Sequence, residues 1–161
     1  MPFFQQKSHR CATNSGEHPA VLRELERLYR AKCDTVMGDI RFSALLAPNL
    51  PGFSRQLSLL ASTALPTLSH VEQALHIDPF LPQNGEKEDN VPPLSKENAH
   101  SVALSYCKKR RQAAEGEQAS CRHLRHFARK EQTGRLLAEI EAQAGEEVLL
   151  LQGLQKRFLH S

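Results

Sequence analysis

Arg122, Arg125, His126 and Arg129 are spaced i, i+3, i+4 and i+7. At about 3.6 residues per helical turn that spacing puts them on one face. Cys121, Leu124 and Ala128 fall on the opposite side. The stretch therefore reads as a helix docked by one face and presenting arginines on the other. A guanidinium offers forked donors that suit phosphate or carboxylate oxygens. Upstream, Lys108, Lys109, Arg110 and Arg111 are consecutive. On a helix they spread over about 300°, a collar rather than a stripe. Residues 100–135 hold nine basic and three acidic groups, net +6, in a 161-residue chain whose net charge is only +3. Two partner classes fit this segment, an acidic protein segment and the phosphate backbone of a nucleic acid. The third reading is an ordinary solvated helix face. Single-strand binders interleave aromatics for base stacking. Here Tyr106 and Phe127 are the candidates, and both read as core-facing.

Other chemistry is sparse. Cys121, His123 and His126 are ligand types, but on a helix Cys121 lies about 140–160° from either histidine, so the three do not converge. Two histidines alone are too few for structural zinc. Glu97 and His100 form one Glu-x-x-His, where a di-iron bundle needs two such motifs and two further glutamates. The phosphate-binding GxxxxGK[ST], the GxGxxG and GxSxG turns and HExxH do not occur. The four cysteines, Cys11, Cys33, Cys107 and Cys121, contain no CxxC and are too few for a disulfide scaffold. They read as free thiols acting as small hydrophobes. No catalytic residue, metal site or cofactor is expected, and the chain reads as non-enzymatic.

The elements that would hold these residues are helical. Residues 1–17 read as a disordered N-terminal tail. A first helix is expected from His18-Pro19, with its apolar stripe at Leu22, Leu25, Tyr29, Cys33, Val36 and Ile40, widened by Val21 and Leu28. It runs toward Leu46 and stops at Pro48. Phe53, Leu57, Leu60, Ala64, Leu68, Val71 and Leu75 form a heptad-like seam that predicts one helix to His76, kinked at Pro66. Residues 78–94 hold four prolines and an acidic run, a linker. Ser95 is a good N-cap for the next helix. Its apolar face, Ala99, Val102, Ala103, Tyr106 and Cys107, fades from Lys108 to Gln118. Leu137, Ile140, Ala144, Val148, Leu151, Leu154 and Phe158 predict a last helix. The run Val148–Leu151 is apolar over so wide an arc that the helix is either deep in a bundle or paired with a partner.

The expectation is an all-α fold of about four helices, a bundle or antiparallel hairpins. It divides into a tail (1–17), a helical pair (18–77), a linker (78–94) and a basic then apolar helical region (95–161). The leading functional reading is an adaptor, a subunit of a larger complex. Its protein partner, or a second copy of the chain, would be held through the seam residues Leu57, Leu60, Leu68, Val71, Leu151, Leu154 and Phe158. The runner-up is a small nucleic-acid-associated protein using residues 108–135, and the third an enzyme with an unrecognised site. No apolar run reaches membrane-span or signal-peptide length. A soluble intracellular chain, cytoplasmic or nuclear, is expected.

Overall fold

Proline stands in the first turn of three of the five α-helices in the computed structural model, which describes residues 16–82 and 94–159. Its missing N–H costs nothing there, because first-turn donors have no partner inside the helix. α1 spans Pro19–Leu46, α2 Pro51–Thr63, α3 Leu65–Leu75, α4 Lys96–Arg125 and α5 Glu131–Phe158. There is no strand among the described residues. His18 caps α1, its Nδ1 accepting from Ala20 N at 3.0 Å. Ser95 caps α4 as expected, its Oγ accepting from Asn98 N at 3.2 Å. His76 ends α3 in the left-handed region at φ 55°.

The expected 53–76 helix is interrupted at Ala64, before Pro66, and α2 and α3 follow one another without a loop. Proline removes the donor that would reach back four residues, and its ring crowds that carbonyl. The Ala64 N–H turns back to Ala61 O at 3.3 Å, and Leu68 N already bonds Ala64 O at 3.1 Å. The two pieces therefore act as one broken rod, which makes four rods in all. Between Arg125 and Glu131 the chain turns, and Gly116 lies inside the unbroken α4. The tail reading of 1–17 lies outside the described residues up to Ser15, but Glu17 is buried and bonded. Most of the 78–94 linker, including its acidic run, also lies outside them.

α1 packs on α2, and α4 on α5, as two hairpins. α1 also touches α3 and α4, while α5 touches α2 and α3. One apolar cluster joins Val21, Leu25 and Leu28 of α1 to Leu68 and Val71 of α3, Cys121 and Leu124 of α4, and Leu137 and Ile140 of α5. The second joins Leu46 to Phe53, Leu57 and Leu60 of α2, Ala99, Ala103 and Cys107 of α4, and Leu151 and Leu154 of α5. Each cluster thus gathers one end of all four rods, so neighbouring rods run antiparallel. His76 and Ser95, the two ends of the next connection, therefore lie at opposite ends of the bundle. Glu72 anchors its start, accepting from Tyr29 Oη and Phe80 N, both at 2.6 Å. Asn49 Nδ2 holds Leu94 O at 2.8 Å near its end.

The α1 core face is rotated from the expected stripe. The buried positions are Val21, Leu25, Leu28, Tyr29, Lys32, Val36, Asp39, Ser43 and Leu46. Leu22, Cys33 and Ile40 lie at its margin. Lys32 and Asp39 hold core positions because their partners are inside the bundle too. On α4 the pattern does not fade. Cys107, Arg110, Ala114, Cys121 and Leu124 are buried at regular helical spacing.

Candidate functional site

A layer of charge lies between the two apolar clusters. Lys32 and Asp39 reach it from α1, Tyr106, Arg110 and Glu117 from α4, and Gln143 and Glu147 from α5. Arg110 is 5% exposed and Glu147 only 1%. Arg110 Nε donates to Asp39 Oδ1 at 3.0 Å and Nη2 to Asp39 Oδ2 at 3.2 Å. Its Nη1 donates to Glu147 Oε2 at 3.0 Å. Tyr106 Oη donates to Asp39 Oδ1. Lys32 Nζ reaches both Glu117 oxygens at 3.1 Å and Glu147 Oε1 at 3.3 Å. Gln143 Nε2 donates to Glu147 Oε1 at 2.9 Å, while its own Oε1 is buried without a partner among the described residues.

Burial pushes the Asp39 carboxyl up, and the Arg110 charge opposes it. Burial likewise raises Glu117 against the pull of Lys32. On Arg110 burial disfavours the cation, but Asp39 and Glu147 together outweigh it and raise the guanidinium. The layer has one more carboxylate than cations. Its charged groups pair with one another, and they do not line the groove at Leu22, Ala74 and Leu136 or the groove at Phe127. Its physical effect is on register. A one-turn slide of α4 along α1 would strand Arg110 from Asp39 in a low-dielectric interior.

This placement corrects the collar. Arg110 is in the core and cannot meet a partner, whereas Lys108 and Lys109 are exposed and Arg111 half-buried. Arg111 reaches Glu115 at 3.6 Å. The stripe is corrected in part. Arg122 and Arg125 are exposed on the last turn of α4, sharing Glu141 of α5 at 3.8 and 3.2 Å. His126 is the cap residue, and Arg129 lies past the helix end, so the i+7 relation does not hold. All four are nonetheless exposed at one end of the bundle. Basic groups there also suit the carbonyl end of the α4 dipole.

Phe127 is not core-facing. It is 52% exposed, with His123 edge-on to its ring at 5.2 Å between centroids. It forms the lip of a groove of about 410 Å³ between the start of α1 and the end of α4. Ala20, Val21 and Leu124 line it, with His18, Glu24 and His123 around them. Glu17 locks this end. Its carboxylate accepts from Arg129 N at 2.8 Å, Lys130 N at 2.9 Å and His18 N at 3.0 Å. Burial alone would raise Glu17, but these bonds and one from Thr133 outweigh it and hold the group below 4.5.

The seam residues serve the chain's own core. Leu57, Leu60, Leu68, Val71, Leu151 and Leu154 are buried and Phe158 is half-buried, set edge-on to Phe53. A partner cannot reach the seams without opening the bundle. The wide apolar arc of α5 is real, and its outer part, Leu149 and Leu150, is exposed.

Cys33 is half-buried, Cys107 and Cys121 buried, and all three are free; Cys11 lies outside the described residues. Burial pushes Cys107 to about 11 and Cys121 to about 12, so these thiols stay protonated. Glu97 is exposed and His100 half-buried. Among the described residues no group of three or more His, Cys, Asp or Glu is placed to hold a metal ion. No described helix is long and apolar enough to cross a membrane.

The charge layer escapes a search for apolar periodicity. Its one sequence signal is a spacing of seven, Lys32 to Asp39 and Arg110 to Glu117, within otherwise apolar stripes. No family model, no curated protein and no solved structure matches this chain.

Proposed function

We propose that this chain is a non-enzymatic helical interaction module that takes an acidic, partly apolar protein segment at the α1–α4 end of the bundle. The observation that carries the reading is Phe127, exposed at a groove with an apolar lining, at the same end of the bundle as the exposed Arg122, Arg125, His126 and Arg129. Exposed aromatics and arginines are the residue types that concentrate binding energy at protein interfaces. Arg122 and Arg125 share a single carboxylate, which leaves an excess of positive charge for an incoming acidic group.

The test is fluorescence anisotropy with a labelled glutamate-rich helical peptide carrying leucines at i and i+4. The controls are the same peptide with serines for the leucines, and a duplex oligonucleotide. The leucine peptide should bind, and the serine peptide should bind at least about tenfold more weakly. Phe127→Ala should weaken the leucine peptide by a similar factor. Charge reversal at Arg122, Arg125 and Arg129 should abolish its binding. Oligonucleotide binding that ignores Phe127→Ala and falls log-linearly with salt would transfer the function to phosphate-backbone recognition. Failure of every probe at low salt would reject the reading.

A further inference from the structure

The outer face of α5 carries the most exposed leucine of that helix in a setting that complements itself. Leu149 is 69% exposed and Leu150 46%. At about 100° per residue, Glu146, Leu149, Leu150, Gly153, Lys156 and Arg157 fall within an arc of about 120°. The centre of that arc lies about 100–160° from the core positions Glu147, Leu151 and Leu154. Glu146 and Lys156 enter no ion pair within the described residues, although both are exposed. Gly153 is exposed, and a Cβ there would meet nothing within 4 Å. In the helix interior glycine is less favourable than alanine, and no described atom would obstruct a side chain there.

These positions share a midpoint. Residue 151 lies midway between Leu149 and Gly153 and midway between Glu146 and Lys156. Two α5 helices packed antiparallel by their outer faces, with the two-fold axis level with residue 151, therefore bring each leucine pair over the glycine of the other copy. The same crossing sets Glu146 of each copy against Lys156 and Arg157 of the other. A parallel crossing would instead set Glu146 against Glu146 and Lys156 against Lys156. We infer that this face is a two-fold self-association surface whose occupant is a second copy of the chain, docked antiparallel with Leu149 and Leu150 over its Gly153 and Glu146 against its Lys156 and Arg157. Such a contact is isologous and closes at two copies. It lies about 30 Å along α5 from the Phe127 groove, so it does not depend on the function proposed for that end. The dimer presents its two basic ends in opposite directions.

Sedimentation velocity of the full chain across the micromolar range tests this. The wild type should shift with concentration from the 18.1 kDa chain mass to twice that mass. Leu149→Glu should raise the dimer dissociation constant at least tenfold, with helicity and melting unchanged because the side chain is exposed. Glu146→Lys alone, and Lys156→Glu with Arg157→Glu, should each do the same. Combining all three charge reversals should restore the dimer, an arm that stands even where Leu149→Glu disturbs folding. A wild type that stays monomeric overturns the inference. So does a dimer indifferent to Leu149→Glu, or a combined charge swap that fails to restore association.

Discussion

Arg110 is a full charge in the middle of a bundle, and it is tolerated because its donors are taken by carboxylates on two other helices. Asp39 receives two of its nitrogens and Glu147 a third. Removing one member of such a network leaves the others buried and uncompensated, which costs about 3–5 kcal/mol. Arg110→Ala should therefore destabilise by that amount in denaturant unfolding. Arg111→Ala should change stability by no more than about 0.5 kcal/mol, because its carboxylate partner is exposed and 3.6 Å away. Equal effects at the two positions would mean that the layer does not hold the bundle together. The two arginines are neighbours of one type, and their burial differs because only one of them points at Asp39.

At the scale of elements, Glu17 joins the start of α1 to the turn between α4 and α5. It accepts backbone N–H groups from Arg129 and Lys130 that the turn leaves without helical partners. Its folded pKa is held below 4.5. The unfolded chain therefore takes up its proton first as pH falls. The stability it contributes is present above the ordinary carboxylate range and is lost as pH drops through the depressed folded value. Glu17→Gln should lower stability by about 1–2 kcal/mol at neutral pH, and the gap to the parent should close on acidification through that window. Thermal melts of both proteins across the range check it. Asp39 and Glu117 act with the opposite sign, since burial raises both. Their contribution is present below the ordinary carboxylate range and falls as pH rises through their raised values, so they soften the acid limb that Glu17 creates.

For the whole molecule, the two seams bury against each other within the chain. Leu60 and Leu151 meet in one cluster, each almost fully buried. Replacing either with alanine should cost about 2–5 kcal/mol, from lost transfer energy and the cavity left behind. Calorimetric melting of Leu60→Ala and Leu151→Ala measures this, and parent-like curves for both would contradict the core described here. Because these two residues touch the same cluster, the double variant should lose less, or more, than the simple total. With the seams buried, both surfaces proposed above, the Phe127 groove and the α5 face, lie on the outside of the bundle.

Helix existence and the caps were legible in the sequence because they depend on residues close in the chain. Pro19 and Ser95 begin helices, Pro48 follows the end of one, and the seam of Leu57, Leu60, Leu68 and Val71 is buried as its spacing required. Phe127 looked core-facing by periodicity, but the helix ends at Arg125 and the phase is lost with it. The rotation of α1, the burial of Arg110 within a run of four basic residues, and the charge layer were settled by tertiary structure alone. A hydrophobic period marks which residues prefer to leave water. It carries no information on where a charge from α1 will meet its counter-charge from α4 or α5. Lys32 and Glu147 are 115 residues apart, and only the packing of the helices makes both of them core residues.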